Sequence, residues 1–392
     1  MSEHRVLIVV SLAASLLMVG VGMIVALLPQ RVLALSGSLQ SVSYLASVFA
    51  VSYLMLQVPI GNLADRLGAK PFLVLGYALC CVSGVVFFSA GSSQTLFLGR
   101  FIQGAGEAPI WALGPALLSL AYPHAKGRVI GLYNAAIHTG LTIGPLLGIL
   151  LFPTGKGNIP FLLFAGLCFS GGMTILLFLP HILSTARQTI GQTPRLRGLL
   201  KLLKVRDPLV TLFGVLLYGA AYGVFVSVLP ASLALPKGFD NLSIGVFFAL
   251  FYVAISVSQL IAGPLSDRYG RHIFMIAGLA ITALGITSFA WLPQPWTHAP
   301  LTLASFGLGV FCVSSMAFLN ECVPASLKAT ISGSYYLSWG LGYFLGPLIV
   351  GRLSELVNPL AGYYLLALSM AAQAGVLCLI GFTRSGKDSD TE

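Results

Sequence analysis

The chain reads as a succession of long apolar runs separated by short polar connections. A helix that crosses a bilayer needs about 20 mainly apolar residues. Twelve runs meet that length: 6–28, 40–62, 72–90, 94–118, 128–152, 160–180, 208–230, 241–265, 272–292, 298–320, 329–352 and 360–382. They are too long for spanning strands and do not alternate apolar with polar positions, so helices are predicted and a barrel is excluded. The longest connection, 181–207, divides the runs into two sets of six. The expected architecture is an all-α integral membrane protein. Its twelve transmembrane helices form two pseudo-symmetric six-helix bundles at 1–180 and 208–383, with a linker at 181–207 and a polar tail at 384–392.

Composition supports this. Of 392 residues, 57% are apolar and 8% charged, against about 45–50% and about 25% in a soluble domain. The mean hydropathy is +0.93. Lipid must be the solvent for most of the surface. The net charge of +10 suggests nucleic acid only until its distribution is read. With the N-terminus inside, 16 of the 21 Lys and Arg residues fall on the inner side, four fall outside, and Arg100 lies within a span. Such a bias places both termini in the cytoplasm. A multi-pass protein of the cell membrane is expected, with a bacterial inner membrane as the setting and no nucleic-acid partner. The first run is too long for a signal-peptide core. In the linker, Leu196, Leu199, Leu200 and Leu203 share one helical face, with Arg197, Lys201 and Lys204 elsewhere. This segment reads equally as an amphipathic helix on the inner leaflet or as a solvated connection.

Charge is scarce, yet "GNLADRLGAKP" at 61–71 concentrates Asp65, Arg66 and Lys70, and "GPLSDRYGRH" at 263–272 repeats the pattern. Gly61, Leu63, Asp65, Arg66 and Gly68 recur 202 positions later as Gly263, Leu265, Asp267, Arg268 and Gly270. The same offset aligns Gln57 with Gln259, Lys126 with Lys328, Gly131 with Gly333 and Tyr133 with Tyr335. It also aligns Gly140, Gly144 and Pro145 with Gly342, Gly346 and Pro347. Internal repeats of this kind are typical of transporters. An even number of helices per repeat gives both halves the same orientation.

The most costly residues lie in the fourth run. Burying a charge at the bilayer centre costs about 2.5–3.5 kcal/mol even on lenient scales. Arg100 and Glu107 are seven apart on nearly one face, with Gln103 between them. That face is expected to look into an aqueous cavity. The two charges sit about 10 Å apart along the axis, so a water or substrate bridge is expected rather than a direct ion pair. Glu107 reads as a coupling carboxylate, with a structural partner for Arg100 as the alternative. In the fifth run, His138 lies one turn beyond Asn134, and Gly140, Gly144 and Gly148 form a groove beside the bend expected at Pro145. Tyr218, Tyr222, Tyr336, Trp339 and Tyr343 are candidates for an aromatic cavity wall. The six cysteines make no CxxC pair, and no metal site, disulfide or cofactor is expected. No nucleotide loop or nucleophile triad is visible, so enzymatic activity is not expected.

Together these motifs resemble the major facilitator superfamily. The two loop stretches resemble its Gly-x-Leu-Ala-Asp-Arg-x-Gly-Arg-Lys motif, with a departure at Ala69. "RFIQGAGEA" at 100–108 resembles the fourth-helix motif, and "GLTIGPLLG" at 140–148 the fifth-helix motif of drug:proton antiporters. The resemblance implies a monomeric, proton-coupled exporter of a small organic molecule, working in a lipid bilayer by alternating access. It also implies a cytoplasmic gate of Gly61, Asp65, Arg66, Gly68, Gly263, Asp267, Arg268, Gly270 and Arg271. In that gate Asp65 would face the start of the eleventh span and Asp267 the start of the fifth, near Arg128. An importer or uniporter on the same scaffold is the alternative. A non-transporting receptor or scaffold is the alternative of another class.

Overall fold

The computed structural model describes residues 2–122, 126–151, 157–180, 206–234, 238–323 and 328–389. These residues are almost wholly helical. The helices are α1 (Ser2–Val25), α2 (Leu28–Ser36), α3 (Leu39–Leu67), α4 (Ala69–Ser89), α5 (Ser93–Ala121), α6 (Lys126–Leu151) and α7 (Ile159–Phe178). After the linker come α8 (Arg206–Val226), α9 (Val228–Ala234), α10 (Asn241–Tyr269), α11 (Arg271–Ser288), α12 (His298–Glu321), α13 (Lys328–Leu356) and α14 (Ala361–Ser389). Nine helical stretches among the described residues are long and apolar enough to cross a membrane. α5, with Arg100, Gln103 and Glu107 at its centre, is not one of them. Large apolar side chains stand exposed along the helices, among them Met55, Leu150, Phe169, Leu260 and Leu368. Bilayer contact accounts for such exposure, which a water-soluble surface would not carry.

The 202-residue offset governs helix geometry as well as sequence. α3, α4, α6 and α7 start at residues 39, 69, 126 and 159; α10, α11, α13 and α14 start at 241, 271, 328 and 361. The caps repeat too. The Ser38 hydroxyl accepts the Ser41 amide at 3.4 Å, and the Asp240 carboxylate accepts the Ser243 amide at 2.8 Å. Each satisfies one of the free amides at a helix start.

The helices depart from the expected runs. The runs at 40–62 and 241–265 do not stop beside Gly61 and Gly263; α3 and α10 run on to Leu67 and Tyr269. The stops are Gly68 and Gly270, whose φ values of 85° and 97° favour a residue without a Cβ. A Cβ at Gly263 would meet only Val313, at an ordinary 3.8 Å, so that glycine does not mark a close helix approach. The first and seventh spans are each followed by a short extra helix, α2 and α9, that the apolar pattern did not separate. The linker segment 195–206 lies almost wholly outside the described residues.

The chain divides into two units, Met1–Thr193 with Leu229–Ala249, and Pro194–Val228 with Leu250–Glu392. In the first, α1 packs on α6 and α7, and α5 packs on α3 and α4. In the second, α8 packs on α13, and α11 on α12 and α14. The α1–α6 contact is close because its glycines lack side chains. A Cβ at Gly144 would fall against the Val19 carbonyl and within 2.9 Å of the Gly22 Cα; one at Gly140 would lie 2.7 Å from the Ser15 carbonyl oxygen. The equivalent α8–α13 contact uses Gly342 against Leu216 and Gly346 against Ala220. α6 stays one continuous helix through Pro145.

Candidate proton and substrate site

In the first unit, one face of α5 carries a chain of polar side chains. Arg100 donates from Nε to the Leu45 carbonyl of α3 at 3.2 Å and from Nη1 to Gln103 Oε1 at 2.9 Å. Gln103 donates from Nε2 to Glu107 Oε1 at 2.8 Å, and Trp111 donates from Nε1 to Glu107 Oε2 at 3.1 Å. The helix dictates this ladder, since residues three and four apart are neighbours on its surface. The Arg100 guanidinium also lies 4.8 Å from the centre of the Phe49 ring, in a cation–π contact.

This geometry revises the expected open face. Arg100, Gln103 and Glu107 are only 5%, 0% and 4% exposed. The Gln103 amide bridges the two charged groups. Buried charge is tolerated here because each charged group has hydrogen-bond partners within the fold. Trp111 was not singled out in the sequence, although its spacing of four from Glu107 was the available signal.

The other first-unit candidates fall on α6. Asn134 is exposed, and His138 is partly buried, its Nδ1 without a hydrogen-bond partner. Gly140, Gly144, Pro145 and Gly148 are buried; the first two are pressed against α1. The side chains of Asp65, Arg66 and Arg128, and Gly61, lie outside the described detail. Lys70 donates to the Leu179 carbonyl at 2.7 Å, a cation placed at the C-terminal end of α7.

The second unit holds a cluster of rings. Tyr222 contacts Phe251, Trp339, Tyr218 and Tyr343 at centroid distances of 5.2, 5.8, 6.2 and 6.3 Å. Trp339 and Tyr343 meet at 5.1 Å. Four of the five aromatic candidates therefore come together around Tyr222. Tyr336 pairs instead with Tyr335 and is half exposed.

A charged cluster closes the α10–α11 turn. Arg271 pairs with Asp267 and with Glu321 of α12 at 2.9 Å, and donates to the Ser266 hydroxyl at 2.6 Å. The pairing of Asp267 with Arg128 rests on a side chain outside the described detail; its described partner is Arg271. At the positions 202 residues earlier stand Ala69 and Ser119 in place of Arg271 and Glu321. Only the second repeat has residues that can build this cluster. Arg268 lies over the Tyr269 ring, 5.3 Å from its centre.

Among the described residues no group of three His, Cys, Asp or Glu could hold a metal ion.

Comparison with known proteins fits this arrangement. The family model of the Major Facilitator Superfamily matches residues 10–347 and again 211–391. The second match starts close to one repeat length after the first. The chain is 26% identical to the class C tetracycline resistance protein of Escherichia coli, covering 89% of this chain and 90% of that protein. It is 25% identical to the class G tetracycline resistance protein of Vibrio anguillarum, covering 84% and 85%. It is 23% identical to the vesicular acetylcholine transporter of Drosophila melanogaster over 84% of this chain, and spans 58% of that longer protein. A crystal structure of a variant of the nucleoside transporter NupG shares the fold, with a TM-score of 0.80 at 16% identity over 96% of this chain and 99% of that one. These relatives are transporters, and the long apolar helices make this a multi-pass membrane protein. The chain belongs to the Major Facilitator Superfamily.

Proposed function

We propose that the chain is a proton-coupled exporter of a small organic molecule, with Glu107 as the coupling carboxylate. The observation that carries this reading is the buried ladder Arg100–Gln103–Glu107–Trp111. A carboxylate held this deep in a membrane-spanning bundle is costly to keep charged. Any motion that alters its water access or its partners changes its affinity for a proton. A coupled ligand shifts a conformational equilibrium only through such a difference in affinity. The tetracycline resistance relatives support export, and the Gly140–Gly144–Pro145–Gly148 groove fits it.

On this reading the twelve long helices all span the membrane, six in 1–180 and six in 208–383. Both termini are cytoplasmic, and the protein works as a monomer in a cell membrane such as a bacterial inner membrane. The rings around Tyr222 supply apolar and cation–π contacts to the substrate. The cluster of Asp267, Arg271 and Glu321 belongs to a cytoplasmic gate. A second reading, a solute importer, is favoured by the likeness to the nucleoside transporter.

The deciding experiment is substrate-induced proton flux in liposomes. The probes are tetracycline, acetylcholine, a nucleoside and a set of hydrophobic amines. A compound on one side that drives protons the opposite way marks antiport. Protons moving with the compound mark the importer.

A further inference from the structure

We propose that Trp111 is the proton-dependent positioning residue of this site: its indole is held by ionised Glu107 and let go when a proton binds Oε2. The inference rests on the reading of Glu107 as the coupling group.

The argument is one of donors and acceptors. Arg100 can only donate, so the Gln103 oxygen must face it and the Gln103 NH₂ must face Glu107. This is the arrangement found, with Gln103 fully buried. Protonating Oε1 would require the buried amide to reverse, turning its NH₂ toward the guanidinium, donor against donor. Oε2 is different. Its partner is the indole N–H of Trp111, at 3.1 Å, and Trp111 is partly exposed. An indole N–H cannot accept, so a proton on the Oε2 lone pair that the indole now occupies would displace the N–H. Here the displaced donor sits on a side chain that protein only partly encloses, whereas a displaced Gln103 donor would be stranded in the interior. The proton therefore binds Oε2, the Trp111 N–H···Oε2 bond breaks, and the Arg100–Gln103–Oε1 half keeps the carboxyl in place. One side chain moves and three stay.

The surroundings contain few competing titratable groups. From α4, Tyr77 and Cys80 face Glu107. From α6, the Tyr133 hydroxyl lies against Gly114, one turn from Trp111. From α3, Tyr53 stacks on Phe49. α1 has no titratable side chain after Arg5, and α2 has only Arg31.

The test needs no substrate. Trp291, Trp296 and Trp339 are replaced by Phe, leaving Trp111 as the sole tryptophan of the reconstituted protein. Its emission maximum is followed from about pH 4 to 9, beside the infrared carboxyl band that Glu107→Gln removes. The expected result is a single emission transition whose midpoint matches that of the carboxyl band, and which Glu107→Gln abolishes. Trp111→Phe should keep the carboxyl band but move its midpoint to higher pH, because a donor to the ionised form is gone. If Glu107 titrates while the Trp111 emission stays flat, or if the emission shift persists in Glu107→Gln, the Trp111 inference is overturned and the coupling role survives. If Glu107 does not titrate at all, both fall. Should the triple variant not fold, 5-fluorotryptophan NMR of the otherwise native chain gives the same readout, with Trp111 assigned by Trp111→Phe.

Discussion

Arg100 and Glu107 are joined through a single side chain, the Gln103 amide, which accepts from the guanidinium at 2.9 Å and donates to the carboxylate at 2.8 Å. The arrangement keeps opposite charges linked without letting them touch. A direct ion pair would hold the carboxylate tightly in its charged form. An amide bridge leaves it open to control by its other partner and by water.

The groove between α1 and α6 makes a prediction in which size decides the outcome. Gly144→Leu places a side chain where a Cβ alone would already meet the Met23 amide nitrogen at 2.8 Å. The helices must separate, and transport should fall by more than tenfold even where expression is kept. Gly131 also recurs in the repeat, but a Cβ there meets nothing within 4 Å. Gly131→Ala should therefore be neutral or stabilising by about 0.5–1 kcal/mol, as expected for replacing a mid-helix glycine. Thermal unfolding and uptake assays on the two variants check both halves.

The Asp267–Arg271–Glu321 cluster separates stability from gating. Asp267 and Glu321 are 62% and 57% exposed, and exposed ion pairs are worth about 0–1 kcal/mol. Asp267→Asn should leave the unfolding temperature nearly unchanged. If the cluster gates, transport should nevertheless drop severalfold, and cysteine crosslinking across the cytoplasmic face should change. Full transport with unchanged crosslinking would remove the gate assignment.

Asp240 gives a pH dependence with a defined sign. Hydrogen bonds from the Ser243 side chain and then its amide hold the Asp240 carboxyl below the usual range. A depressed folded-state value means the cap is stabilising above the unfolded value of about 3.9 and lost as pH falls through the folded one. Asp240→Ala should cost about 0.5–1 kcal/mol at pH near 7, the low end for a cap because the group is exposed. The difference from wild type should shrink as pH falls below the unfolded value of about 3.9 and on through the lower folded one. Ser38→Ala, at the matching cap of the first repeat, should show no such acid dependence. Unfolding curves in detergent over this pH range decide the matter.

Much of the fold was legible because a bilayer imposes one length scale on every span. The helix starts at 39, 69, 241 and 271 follow within a few residues from apolar runs and charged turns. α2 and α9, with nine and seven residues, were missed because they continue the apolar runs before them. The Leu-Pro pairs at 28–29 and 229–230 were the available signal, since proline suits a first helical turn. At the site, the spacing of Arg100, Gln103 and Glu107 pointed to a shared face but not to its burial. Burial depends on the helices α3 and α4 that cover it, which no local pattern on α5 encodes. The rings around Tyr222 come from α8, α10 and α13, and only packing brings them together.

The most direct measurement compares wild type with Glu107→Gln, reconstituted with an imposed pH gradient and a compound that the wild type concentrates. Gln nearly preserves the shape but cannot titrate. The account predicts that the variant folds and binds the compound, yet loses accumulation against the compound's gradient while passive exchange continues. Accumulation at the wild-type rate in Glu107→Gln would contradict the account and move the coupling role to another group, with His138 the next to test.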